Sequence, residues 1–518
     1  MENQILDAIR KKGLLLEKEV YDFVKVFDDV SVVEEFLDNL QRVSGQKMIT
    51  KSILNNNIGF VRGVVNKLPG EGRGVVEKYI VKLGLSLEIT KESKIVEESK
   101  EKAKENLDFK VFYADTKPDK KLEVKDFVGN IRARYQSLQR ILMQRPEIQN
   151  NLVGLGKLSG NRQGVSFIGI VTEKRVTKNK NLIIKFEDMT GQVNALVKHD
   201  KGEVFSKAEE LQLDDIVGVK ASGNNEILFI QDIFWPDAFL TEKTKFNEDI
   251  SVAFLSDLHC GSDRHLGKSV ENFLEWINGD DEDAKKIKYI FFVGDNVDGV
   301  GVFPGQERVL KIQRMEEQYE LLASYLEKIP KQITMFMCPG QHDAVRVAEP
   351  QPLIDKRYAS KLYEIENLVL VTNPTLVKLL EGEKEFKILM YHGASLHSLI
   401  NNIPELREIK AHRTPAKAVR HLLKRRHLAP THGDVVYIPN ADRDPLVIEQ
   451  VPDVLCTGEV HRLDVENYNG VLAITGSCWQ SQTDFEEKIG NIPDPGKVAV
   501  LNLKTRGLKI YDFLEEEK

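Results

Sequence analysis

A chain of 518 residues is too long for one ordinary core and implies two to four domains. Its 41% hydrophobic content supports well-packed globular units, and its 30% charged content calls for exposed helix or charged linker as well. A net charge of −7 excludes a basic protein that coats nucleic acid by neutralising phosphates, so any nucleic-acid role must use local patches or a partner's surface.

The chain opens MENQILDAIRKKGLLL, without the long apolar core or the cleavage site of a signal peptide, and it has no apolar stretch long enough to span a membrane. The four cysteines, Cys260, Cys338, Cys456 and Cys478, form no C-x-x-C pair, which excludes a zinc ribbon and fits a reduced, cytoplasmic chain. Residues 1–89 read as a helical domain. Ser31-Val32-Val33-Glu34 fits a capping box, and Val33, Phe36, Leu37 and Leu40 follow at helical spacing. Residues 90–124 read as a charged linker, with Lys and Glu mixed over residues 90–106.

Residues 125–247 begin with a helix that carries Phe127, Ile131, Tyr135, Leu138 and Leu142 on one face. Short strands then follow at residues 165–172, 182–186, 193–197, 216–219 and 227–233, separated by turn signals. That pattern predicts a small β-barrel of OB type. One hairpin, residues 174–180, is basic. Its Lys174, Arg175 and Lys178 are candidates for a phosphate-backbone contact, against the plainer reading of a solvated tip.

From residue 248 to 518 the pattern changes. Apolar runs at residues 252–255, 289–293, 333–337, 386–390 and 454–455 end abruptly in polar clusters. An amphipathic helix is expected between the second and third, with Val309, Ile312, Met315, Tyr319, Leu322, Leu326 and Ile329 on one face. Continuous apolar strands with helices between them predict a layered α/β domain, whose chemistry sits at the carboxyl ends of the strands. The clusters fall there: Asp257-Leu258-His259, Gly294-Asp295-Asn296-Val297-Asp298, Pro339-Gly340-Gln341-His342-Asp343, His392-Gly393 and Gly458-Glu459-Val460-His461. Each alone is weak. Together they are hard to explain by packing, because buried carboxylates and imidazoles are costly unless paired or metal-bound. Carboxylate and imidazole donors without thiolate suit Mn²⁺, Mg²⁺, Fe or Zn²⁺ rather than a structural zinc.

The clusters, in this order, resemble the calcineurin-like metallophosphoesterase superfamily, whose pattern is D-x-H, G-D-x-x-D, G-N-H-D/E, H and G-H-x-H. Further segments resemble the small subunit of the archaeal family D DNA polymerases. They include Trp235-Pro236-Asp237, Asp343-Ala344-Val345-Arg346, Gly476-Ser477-Cys478-Trp479-Gln480-Ser481-Gln482-Thr483 and residues 169–175, 428–433 and 451–454. The likeness covers roughly residues 107–503.

This resemblance implies a multidomain α/β protein: a helical N-terminal domain, an OB-type barrel and a four-layer metallophosphoesterase domain. It implies two divalent ions, Mn²⁺ foremost. Asp257, His259, Asp295 and His461 would hold one, and Asp295, Gln341, His392 and Glu459 the other. His342 would act on the scissile phosphate or leaving oxygen, with Asp298 and Asp343 orienting imidazoles. The implied activity is 3′–5′ proofreading exonuclease; the rivals are an inactive scaffold subunit and another DNA-repair phosphoesterase. The implied partners are a large polymerising subunit, DNA with a primer 3′ end, and a sliding clamp or primase, in a cytoplasmic, nucleoid-associated setting. Two positions depart from the pattern: Gln341 stands for Asn, and Glu459 for the first His of G-H-x-H. Both keep an oxygen donor for a hard cation.

Arg346 belongs to a segment carrying the resemblance, and the stretch from Arg413 to His427 is rich in cations. Arg346, Arg420 and Arg425 join the candidate nucleic-acid contacts, with a solvated face as the alternative. Cys260, Cys338 and Cys456 read as packing residues at strand ends. His397, His412, His421 and His427 read as solvated, and His432 as a candidate on the substrate side.

Overall fold

The computed structural model describes residues 108–116, 121–158, 160 and 162–514, together with scattered positions between 7 and 49. The chain divides into two compact units, Met1–Glu105 and Asn106–Lys518. In the first, Val33, Phe36 and Leu37 are helical and fully buried, as their spacing predicts. Strand β1 (Leu15–Leu16) pairs in parallel with β2 (Met48–Ile49), an element that an all-helical reading lacks. Ser31, Glu34 and the charged run 90–106 lie outside the described residues.

The second unit begins earlier than the charge pattern implies. Strand β3 (Phe109–Tyr113) lies within the expected linker, yet it forms the edge of a six-stranded sheet. Phe109 and Val111 pack against the apolar layer between the two sheets, which the Lys-rich flanks conceal in sequence. Helix α1 (Val124–Leu142) follows, opened by a reciprocal capping box between Glu123 and Asp126.

The barrel is closed by β4 (Arg162–Val176), β5 (Leu182–Glu187), β6 (Gln192–Val197), β7 (Ile216–Gly223) and β8 (Leu228–Phe234), in the order β4-β5-β6-β8-β7. Period-two alternation sends Leu182, Ile184 and Phe186 inward, with Phe167, Ala195 and Val219 around them. Helix α2 (Gly202–Glu210) connects β6 to β7 and buries Ala208 in the same core.

Beyond the barrel, one six-stranded sheet runs β12-β11-β10-β9-β18-β19. Its members are β9 (Ser251–Leu255), β10 (Ile287–Val293), β11 (Thr334–Cys338), β12 (Leu368–Leu370), β18 (Lys497–Asn502) and β19 (Leu508–Asp512), with β9 to β12 mutually parallel. The other runs β16-β17-β15-β14-β13-β3. It uses β13 (Thr375–Glu381), β14 (Lys384–Met390), β15 (Val454–Thr457), β16 (Asp464–Tyr468) and β17 (Val471–Thr475).

Alternate residues of each strand serve different layers. Val252, Phe254 and Phe291 of the first sheet meet Phe386, Ile388 and Val454 of the second in one core. On the far face of the first sheet, Ala253 and Leu255 pack on α3 (Gly267–Ile277) and α4 (Met315–Leu326). On the far face of the second, Leu389 and Leu455 pack on α5 (Leu396–Asn402) and α6 (Ala416–Arg425). The result is helix, sheet, sheet, helix. Helix α4 starts later than its apolar spacing predicts. Lys311 and Ile312 both donate backbone N–H to Gly261 O, at 2.9 and 3.0 Å, so Val309 and Ile312 lie in the preceding segment.

Candidate metal centre

The parallel strands β9, β10 and β11, and the neighbouring pair β14 and β15, bring their carboxyl ends to one place between the sheets. Each strand gives way there to a polar turn, and the turns are tight. Asp257, His259, Asp295, Glu459 and His461 all have positive φ, between 45° and 73°. Non-glycine residues adopt this region rarely, and such strain collects where geometry is over-determined. Glycines admit the closest approaches: a β-carbon on Gly340 would lie 2.2 Å from Asp295 Oδ1, and one on Gly294 2.2 Å from His392 Nδ1.

Among the described residues, three sets of donor atoms lie within metal-binding reach of one another: Asp257, His259 and His461; His259, Asp298 and His342; and Asp257, Asp295 and His392. In the first set His259 Nε2 lies 3.2 Å from His461 Nε2, and His461 Nε2 lies 3.5 Å from Asp257 Oδ1. The opposite ring nitrogens face carboxylates, His259 Nδ1 at 3.1 Å from Asp298 and His461 Nδ1 at 3.0 Å from Glu486. Burial opposes ionisation of Asp298 and Glu486, but His259 and His461 respectively outweigh it and keep their pKa values below the ordinary range. Both Nδ1 atoms therefore donate, which turns the two Nε2 atoms toward each other and toward Asp257, where they could converge on one cation.

The second half of the site has the same logic. His392 is fully buried, and its Nδ1 donates to Val293 O at 2.8 Å. Its Nε2 faces Asp295 Oδ2 and Glu459 Oε2, each at 3.2 Å. Gln341 Nε2 donates to Glu459 Oε2 at 2.8 Å. The buried Gln341 Oε1 has no hydrogen-bond partner, nor does His392 Nε2 in the neutral ring. These donors fit a hard divalent cation, and the two departures from the family pattern, Gln341 and Glu459, stand side by side in it. Burial works against charge on His392, yet Asp295, Glu459 and Asp257 hold its imidazolium well above the usual range. Glu459 is pulled to about 2, its burial outweighed by His392 and His397.

His342 lies over this cluster. Its backbone N–H donates to Asp295 Oδ1 at 2.9 Å, and its Nδ1 donates to Asp298 O at 2.7 Å, leaving Nε2 turned toward Asp295 Oδ2 at 4.0 Å. Burial lowers its pKa, but Asp295 and Asp298 raise it further, so the net shift is upward. Asp298 Oδ1 faces His259 Nδ1 at 3.1 Å. Asp343 departs from its expected role, because it orients no imidazole. Its Oδ2 accepts from the backbone of Asn296 and Gly340, at 3.1 and 2.9 Å, and its Oδ1 from Tyr319 OH at 2.9 Å. It ties the β10 and β11 turns together. Burial, with Asp295 nearby, raises its carboxyl to about 6.

Some partners were not singled out from sequence. Glu486 sits on the short helix α7 (Asp484–Ile489), 25 positions beyond the His461 it orients. Asn373 accepts the His392 N–H at 3.0 Å, and Gln306 and Gln480 both donate to Asp298, at 3.1 and 3.3 Å. A capping box at Thr483-x-x-Glu486 was the available signal for α7.

The expected nucleic-acid contacts fare unevenly. Arg175 and Lys178 are exposed on the hairpin. Lys174 donates to Glu209 O and Leu211 O, at 2.5 and 2.8 Å, and braces the barrel. Arg346 donates to the backbone of Thr116, Ala348 and Pro350. Arg420 pairs with Glu405 and Glu466 at 2.8 and 3.4 Å. Arg425 is buried in a pair with Asp215 at 2.8 Å, so it joins α6 to the barrel rather than meeting a phosphate. His421 and His427 are buried rather than solvated, beside Glu210 and Asp444. His397 stacks on His412, with its Nε2 3.8 Å from Glu459 Oε1. His432 Nδ1 lies 2.9 Å from Tyr437 OH. All four cysteines are buried and free.

Comparison with known proteins supplies the family. A family model describing the B-type subunits of DNA polymerases alpha and epsilon matches residues 252–463. The DNA polymerase II small subunit of Methanothermobacter thermautotrophicus is 37% identical over 398 residues, 76% of this chain and 80% of that protein. Its counterpart in Archaeoglobus fulgidus is 38% identical over 383 residues, covering 73% and 75%. That of Pyrococcus furiosus is 36% identical over 402 residues, 75% of this chain but only 64% of that protein. Among solved structures, an archaeal phosphodiesterase aligns with 51% of this chain and 99% of its own at 12% identity, with a TM-score of 0.25, too slight a likeness to argue from. Identity above 30% across most of both chains decides the matter: the chain belongs to the archaeal family D DNA polymerase small subunits, those named DNA polymerase II small subunit.

Proposed function

We propose that this chain is the proofreading subunit of a two-subunit replicative polymerase. It is a metal-dependent 3′–5′ exonuclease on DNA, with polymerisation on a separate large subunit. One observation carries the reading: Gln341 Oε1 is buried without a hydrogen-bond partner at the point where His392 Nε2, Asp295 and Glu459 converge. A scaffold that had lost its second site would have no reason to keep those donors convergent.

One cation would be held by Asp257, His259, Asp295 and His461, the other by Asp295, Gln341, His392 and Glu459, with Mn²⁺ the favoured ion. When bound, the pair supplies Lewis acidity at a scissile phosphate and a water nucleophile of lowered pKa. The chain's own groups do the rest. Asp298 and Glu486 fix His259 and His461 in the tautomer that presents Nε2. His342, held by Asp298 O and carrying a raised pKa, offers an Nε2 proton to the phosphate oxygen or the leaving 3′ oxygen.

The test is Mn²⁺-dependent shortening of a 5′-labelled primer with a mismatched 3′ end, by this chain alone and with the large subunit. Stepwise shortening that Asp295→Asn and His342→Ala both abolish is the expected result. A holoenzyme that polymerises but never shortens the primer would overturn the nuclease reading and leave a scaffold.

A further inference from the structure

Between the Asp298 turn and α4 the chain makes an excursion, Gly299-Val300-Gly301-Val302-Phe303-Pro304-Gly305, whose tip is apolar and open. Val300, Val302 and Phe303 are 46%, 38% and 45% exposed. Single exposed apolar residues are ordinary, but three within four positions form a patch that needs a reason. Folding stability supplies none, because the loop's anchors are polar. Gly299 N–H donates to Gln318 Oε1 at 2.8 Å, and Gln318 Nε2 returns to Gly299 O at 3.1 Å. Val302 N–H donates to Gln306 Oε1 at 2.9 Å, while Gln306 Nε2 donates to Asp298 O at 2.8 Å. The loop is thus tied to the same Asp298 carbonyl that holds His342. A β-carbon on Gly299 would lie 2.3 Å from His342 O and 2.8 Å from Val302 Cγ2, so the apolar wall begins beside the main chain of His342. Arg308 and Lys311, both exposed, follow on the same excursion and offer cations to a phosphate backbone.

We propose that this loop is the subsite for the terminal nucleobase, with Phe303 stacking on a 3′ base that has left the duplex. The inference rests on the nuclease reading above and deepens it by naming what the site selects. A paired terminal base is already stacked and hydrogen-bonded, whereas a mismatched one leaves the helix cheaply. An aromatic face accepts any base, as removal of errors of every kind requires. The polar anchors at Gly299 and Val302 fix the loop's path from the Asp298 turn to Phe303. Selectivity for unpaired ends would therefore arise at Phe303, apart from the metal ligands.

The experiment uses the complex with the large subunit, Mn²⁺, and three primers whose 3′ nucleotide is mismatched, paired or abasic. Wild type should remove the mismatched nucleotide roughly tenfold faster than the abasic one, the scale of one stacking contact. Phe303→Ala should bring the mismatched rate down to the abasic rate and leave the abasic rate unchanged, and Phe303→Trp should restore the difference. If Phe303→Ala cleaves every primer as wild type does, or slows all three equally, the base subsite is overturned while the nuclease reading stands. If wild type cleaves none of the three, the nuclease reading falls and takes this inference with it.

Discussion

Gln341 and Glu459 are joined by one hydrogen bond, so a change at either should be felt at the other. Glu459→Ala removes a carboxylate donor and frees the Gln341 amide to turn. If the proposed pair of sites is right, the variant should bind one Mn²⁺ per chain fewer than wild type, read by equilibrium dialysis; equal binding would show that Glu459 is no ligand. Glu486→Gln should act indirectly, weakening metal binding about 10- to 100-fold by releasing the His461 ring, and the same titration reads it. Glu349 gives a pH prediction of a different kind. Burial raises its carboxyl to about 8, against the lowering effect of Tyr391 OH. The fold prefers the neutral acid, so this contribution is fully present below the ordinary value of 4.5 and is lost as pH rises through about 8. The Tm of wild type relative to Glu349→Gln should fall across that window; a flat difference would show that Glu349 ionises freely.

At the level of elements, the ends of β9, β10, β11, β14 and β15 were legible because the signal is local: an apolar run, then Asp, His or Gly within a few residues. The barrel was legible for the same reason, through period-two alternation. What stayed hidden is long-range. Nothing near Asp108 announces that β3 will pair with β13 more than 260 positions on. Nothing near Arg425 announces Asp215, which burial turns from a surface cation into a tie between α6 and the barrel. Breaking a buried pair strands its partner's charge, so Arg425→Ala should cost about 3–5 kcal/mol in denaturant unfolding. It should not change the salt dependence of DNA binding, as loss of a phosphate contact would. Removal of residues 1–116, which takes away β3, should lower the second unit's Tm by several degrees relative to removal of residues 1–105.

Considered whole, the chain carries a net charge of −7 and gathers the buried Asp257, Asp295, Asp298 and Asp343 and the part-buried Glu459 in one centre. Such a cluster repels itself unless cations enter it. Mn²⁺ should raise the Tm of this chain, by a free energy near 2.7 kcal/mol at a hundredfold excess over Kd, and chelation should reverse the gain. The facing Nε2 atoms of His259 and His461 carry this further. The surroundings of His461 and His392 favour the protonated imidazole, so a proton and a metal ion would compete for the same Nε2 atoms. Loading is then an exchange, one cation entering as acid leaves. Adding Mn²⁺ to weakly buffered protein should acidify the solution, and mild acidification should release the metal long before it unfolds the chain.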